Sequence, residues 1–145
     1  MHPFREVKVW DKSHQLGLHV YRITASFPEP EQGGLVRHLR KAAISIPSKI
    51  AEGCGRHGDR ELTRYLESAK GSATDLEYQI LLAYELGFLS EADQVALSAE
   101  VMEVQKMLYA FIKTVRGRVL TKNAGAVTSS TVTSASELPV GVTDL

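Results

Sequence analysis

Apolar residues recur along this chain at alternating spacings of three and four, the pattern of helices that each bury one stripe. Four such stripes follow one another. Val9, Leu16, Val20, Ile23 and Phe27 predict a first helix over residues 9–26, ended by Phe27-Pro28 and the Pro- and Gly-containing run to Gly34. Leu35, Leu39, Ala42, Ile46 and Ile50 predict a second over residues 35–54. Pro47 interrupts that pattern. It lacks an N–H for the Ala43 carbonyl and clashes with it, so a kink or restart is expected near Ser45 to Ser48. Gly53 and Gly55 are read as the stop.

The third stripe is the most regular: Leu62, Leu66, Ala69, Ala73, Leu76, Ile80 and Ala83. Asp59 is the expected N-cap, Glu61 lies in the first turn, and Gly87 closes the helix. The small residues Ala69 and Ala73 predict close approach of a partner helix. Ser90 is the expected N-cap of the fourth helix, whose stripe is Leu97, Val101, Val104, Leu108, Phe111 and Val115. Short connections make sequence neighbours antiparallel. The expected fold is therefore all-α, an antiparallel up-down four-helix bundle over residues 1–120. Residues 121–145 are rich in Thr, Ser, Val, Ala and Gly, with few charges and no aromatic side chain. They are expected to form a disordered Ser/Thr-rich tail. Tyr21, Tyr65, Tyr78, Leu82 and Tyr109 exceed what the seams of one bundle need, which predicts an oligomer.

Composition narrows this picture without changing it. A chain of 145 residues with 43% hydrophobic residues suits one globular domain. A formal net charge of zero argues against gross attraction to nucleic acid or membrane, though local patches can persist. Cys54 is the single cysteine, which excludes an intramolecular disulfide and fits a reducing compartment. The first residues contain no apolar core of a signal peptide, and no apolar run approaches the roughly 20 residues that cross a bilayer. A cytoplasmic protein without membrane association is expected.

Nothing in the chain forms a catalytic constellation, so no enzyme, metal or cofactor is assigned. His2, His14, His19, His38 and His57 lack metal-ligand spacing. Cys54 lies between glycines with no evident base and reads as a small packed thiol. The run from Gly53 to Gly58 follows a helix instead of a strand and lacks the Gly-Lys-Ser/Thr ending of a phosphate loop. It reads as an interhelical turn, although the helix start after it can hold a phosphate. Charge distribution says more. Between Leu35 and Arg64 seven Lys and Arg face three acids. Arg37, Arg40 and Lys41 share one helix face, and Arg60 and Arg64 share another. With Arg56 they form a candidate phosphate-contacting surface. The competing reading is a solvated face whose charges pair with Glu52, Glu61 and Glu67, leaving a scaffold with no nucleic-acid role.

Three ordered blocks resemble a known family. They are Phe4-Arg5-Glu6-Val7-Lys8-Val9-Trp10 with Lys12, His14 and Leu18; Leu39 to Gly53, containing Ala42-Ala43-Ile44-Ser45-Ile46-Pro47-Ser48; and Tyr65 to Ser72, with Leu76-Glu77 and Leu86-Gly87-Phe88-Leu89. Together they are similar to the four-helix-bundle proteins encoded in intervening sequences of bacterial 23S rRNA genes, the S23 family. That resemblance implies assembly as a ring-like homopentamer. It also implies kinship with the accessory variability proteins of diversity-generating retroelements, which bind RNA or DNA through a basic surface and engage a reverse transcriptase. The neutral charge of this chain departs from those strongly basic relatives.

Overall fold

The computed structural model describes residues 2–128, with side chains described to residue 124. Four helices carry the architecture: α1 (Lys8–Thr24), α2 (Leu35–Cys54), α3 (Asp59–Glu85) and α4 (Glu91–Thr128). No strand occurs among the described residues. Single helical turns at Phe4–Glu6 and Glu29–Glu31 precede α1 and α2. Each helix packs against two others, in the cyclic order α1–α2–α3–α4–α1. The stripes read from sequence meet in one core, where Leu16, Leu39, Ile46, Ile50, Leu62, Leu66, Leu76, Ile80, Leu97 and Leu108 are fully buried. Ala69 and Ala73 are buried as well. Burying a Leu or Ile side chain contributes about 1.5–3 kcal/mol, so this core dominates the helices' stability.

The boundaries differ from expectation in four informative places. α2 is helical without interruption through Pro47, so no restart occurs. Its small neighbour across the seam is Gly17 of α1, where an added Cβ would lie 3.9 Å from the Ala43 carbonyl oxygen that Pro47 leaves without its helical donor. Gly53 is not a stop signal but part of α2. A Cβ there would sit 2.8 Å from the Tyr65 Cβ and 3.1 Å from Leu62 Cδ1, so its missing side chain sets the approach of α2 to α3. Asp59 is the first helical residue and not the cap; Gly58, at φ 87°, holds the cap position in a backbone conformation that favours glycine. Ser90 does cap α4, its Oγ accepting from the Asp93 N–H at 3.1 Å.

The fourth difference is length. α4 continues past the expected boundary at residue 120 to Thr128. Once a helix is nucleated each further residue adds a hydrogen bond, and a Thr hydroxyl can satisfy itself on the turn before, as Thr121 does on Gly117 O at 2.8 Å. The expected disordered tail otherwise falls on residues 129–145, outside the described residues.

Two ends can be told apart. At the glycine end, the His2 N–H donates to Cys54 O at 2.8 Å, and Arg118 pairs with Asp59 at 3.2 Å. The start of α1, the end of α2, the start of α3 and the later part of α4 therefore meet there. At the phenylalanine end, the Phe27 and Phe88 rings lie 5.9 Å apart, joining the α1–α2 and α3–α4 connections. Between the ends, Arg116 pairs with Glu67 and Gln105 donates to Glu77 at 3.1 Å. Ten residues of α4 follow Arg118, a length of about 15 Å at the helical rise.

Candidate functional site

The six basic residues singled out in the sequence fall into two clusters, not one. Arg37, Arg40 and Lys41 lie in the first half of α2, and Arg56, Arg60 and Arg64 surround the start of α3. From Arg40 to the end of α2 the helix rises about 21 Å, which separates the clusters along the molecule.

The first cluster lines a groove of about 660 Å³ between α1 and α2, with Tyr21, Lys49 and Glu52. Arg37 and Lys41 are exposed there, and neither enters an ion pair among the described residues. Arg40 is engaged structurally. Its Nε donates to Thr24 Oγ1 at 2.9 Å, its Nη2 donates to Tyr21 O at 3.2 Å, and its guanidinium stands 4.4 Å from the Tyr21 ring centre. Thr24 is buried and also donates to Val20 O at 2.7 Å. Arg40 thus braces α2 against the last turn of α1, with part of its donor capacity already used.

In the second cluster Arg56 and Arg64 flank Tyr65, each 5.2 Å from its ring centre. Arg64 also pairs with Glu61 at 2.7 Å, and that hydrogen bond raises its pKa further above the ordinary guanidinium range. Arg60 lines a groove of about 360 Å³ with Thr63, Arg116, Val119 and Leu120. A smaller recess of about 200 Å³ brings His2, Arg56, Asp59 and Lys122 together. Lys122 and Arg116 come from α4. Sequence reading missed the α4 cations as partners of this cluster because only tertiary pairing sets the end of α4 beside the start of α3. Of the acids expected to neutralise the patch, Glu61 pairs with Arg64, whereas Glu67 pairs with Lys70 and Arg116.

Exposed apolar side chains form two further features. Leu18, Tyr21 and Ile44 border a groove of about 430 Å³ with Trp10, His14 and Pro47 between α1 and α2. On α4, Val95, Met102 and Tyr109 recur every seven residues, each at least half exposed. Gln105 lies between the last two and reaches Glu77, so Leu81 and Tyr84, on the same α3 stripe as Glu77, share this face. Of the surplus residues named from sequence, Tyr21, Tyr78 and Tyr109 are exposed, while Tyr65 and Leu82 are half-buried.

The remaining reactive groups are occupied by packing. Cys54 is buried, and burial pushes its thiol pKa up, away from the thiolate a nucleophile requires. His14 stacks on Trp10 with ring centres 5.0 Å apart, and His19 pairs with Glu100, tying α1 to α4. Among the described residues no group of three or more His, Cys, Asp or Glu could hold a metal ion. No described helix is long and apolar enough to cross a membrane.

Comparison with known proteins addresses the fold. The family model described as 23S rRNA-intervening sequence protein matches residues 5–110. A crystal structure of a protein of unknown function from the S23 ribosomal protein family of Bacteroides thetaiotaomicron aligns with a TM-score of 0.66. It is 19% identical and covers 72% of this chain and 98% of its own. At that identity the likeness speaks to fold alone. No curated protein matches the chain.

Proposed function

This chain belongs to the 23S rRNA-intervening sequence protein family, and on that premise we propose that it is a non-enzymatic, oligomeric four-helix bundle that associates with nucleic acid. The observation that carries the nucleic-acid reading is local charge within a neutral chain. Arg37, Lys41, Arg56 and Arg60 are exposed and take part in no ion pair among the described residues. Such cations gain by displacing the counterions of a phosphate backbone.

The bundle is antiparallel in this reading. The α3–α4 pairings Asp59–Arg118, Glu67–Arg116 and Glu77–Gln105 ascend on one helix while they descend on the other. The oligomer is a ring. In the cyclic helix order the α1/α2 groove and the α3/α4 stripe lie on opposite sides, and both expose apolar side chains. Contact between two unlike faces is heterologous and closes into a ring when its rotation permits. The family resemblance supplies the number five.

Two measurements test the proposal. Light scattering at micromolar concentration is expected to return about five times the chain mass of 15.9 kDa; a monomer mass overturns the ring. Titration of labelled RNA and DNA at low and moderate salt is expected to show salt-sensitive binding. Absence of binding at low salt replaces the nucleic-acid reading with a scaffold, the reading that the Arg64–Glu61 and Arg116–Glu67 ion pairs favour.

A further inference from the structure

The zero net charge conceals a separation of charge along the molecule. At the glycine end, residues 2–12, 49–67 and 113–128 carry eleven Lys and Arg against six Asp and Glu. Toward the phenylalanine end, residues 20–41 and 75–103 carry four against nine. Residues 71–105 contain seven acids and no Lys, Arg or His at all. Ion pairing does not erase this. Arg64, Arg116 and Arg118 pair with Glu61, Glu67 and Asp59 in the half toward the glycine end, removing cations and acids together. Arg56, Arg60 and Lys122 are exposed there, outside any ion pair among the described residues. They come from the α2–α3 connection, the start of α3 and the last part of α4.

We propose that the phosphate-contacting surface is the glycine end, formed by Arg56, Arg60 and Lys122, and that the α2 groove with Arg37 and Lys41 is subordinate to it. This rests on the nucleic-acid association proposed above and names its site. Three arguments favour the end over the groove. Arg37, Arg40 and Lys41 of the groove lie in the half of the molecule with the acidic excess, whose field opposes a polyanion over distances of about a Debye length. Arg40, the cation central to the groove, spends donors on Thr24 and Tyr21. At the glycine end Lys122 and Arg56 face one recess from two elements, and Arg60 shares the adjoining groove with Arg116. The ligand is the phosphodiester backbone of a nucleic acid, contacted through its charge without base readout. A cyclic oligomer repeats the basic end once per subunit, so weak contacts add.

The test compares two triple variants of equal charge in the full chain, with a labelled RNA hairpin titrated over a range of salt. One carries Arg56→Gln, Arg60→Gln and Lys122→Gln; the other carries Arg37→Gln and Lys41→Gln in the groove, with Arg22→Gln in the last turn of α1 to match the charge removed. All six side chains are exposed. The end variant is expected to lower the log–log salt slope by about two to three, and the groove variant by less than about one. Lys122→Gln alone, on the part of α4 beyond the core, is expected to lower it by about one, which keeps the test decisive if the triple variant assembles poorly. A larger loss from the groove variant, or equal losses from both, overturns the end as the site while leaving nucleic-acid association standing. No binding by the unsubstituted protein removes both readings.

Discussion

The two ends of the molecule are closed by different physics. The phenylalanine end is sealed by apolar surface: Phe27 and Leu89 are buried, Phe88 packs on Phe27, and Gln32 Nε2 donates to Phe27 O at 2.9 Å. The glycine end is held by an ion pair, a main-chain hydrogen bond and the close approach of Gly53 to α3. Exposed ion pairs are weakened by the screening of added salt, whereas apolar burial is not. The contrast teaches that stability and polyanion binding need not compete for the same residues. The free cations are exposed and lie outside the core, which Ile50, Cys54 and Leu62 carry into the glycine end, and the end that anchors the connections carries the acids.

Four changes sharpen or break this contrast. The largest effect is expected from Phe27→Ala, which removes a buried ring and should cost about 3–5 kcal/mol. Urea denaturation at fixed protein concentration reads it, and a loss under about 1 kcal/mol would mean the apolar seal is not what holds that end. Next is Gly53→Ala, which forces a methyl against Tyr65 and Leu62 and should cost about 1–3 kcal/mol. A neutral result would show that α2 and α3 can move apart freely at the glycine end. Arg118→Gln comes third. Its partly exposed pair with Asp59 contributes about 0–1 kcal/mol, and the difference from the unsubstituted protein should shrink as salt is added. A loss that is large and independent of salt would place Arg118 in packing instead of pairing.

The smallest effect is that of pH on Cys54. Burial raises its thiol pKa in the folded chain above the unfolded value of about 8.5. The unfolded chain therefore loses its thiol proton first. The contribution to stability is complete below the ordinary thiol range and is lost as pH rises toward the raised folded value. Cys54→Ala should flatten the alkaline part of the stability profile. In the same experiment the native thiol should react with a disulfide reagent far more slowly than the urea-unfolded thiol; equal rates would show that the end of α2 opens readily.

The helices were legible because each stripe is long enough for its period to stand clear of the background, and all four appear where the stripes lie. Their ends were less legible. Gly53 carries the composition of a stop, but its role is set by Tyr65 and Leu62 across the seam, which no local pattern displays. Asp59 has the chemistry of a cap, yet Gly58 takes that position and the Asp59 carboxylate turns to Arg118. The Thr- and Ala-rich start of the tail continues α4 because extending a helix is easier than starting one. Basic clustering on α2 was readable from spacing alone. Its separation from the α3 cluster, the bracing role of Arg40 and the arrival of Lys122 were not, since each depends on which ends meet. One available signal went unread: the absence of any basic residue over residues 71–105 marks the acidic half directly in the sequence.

The meeting of His2 with Cys54 and of Arg118 with Asp59 also governs how the protein can be handled. An affinity tag or fusion partner joined before His2 emerges beside the basic surface. There it would shield the cations sterically and, if acidic, compete for them. A fluorophore or surface tether meant to leave that surface open belongs on the Glu29–Glu31 turn, whose exposed residues project from the opposite end.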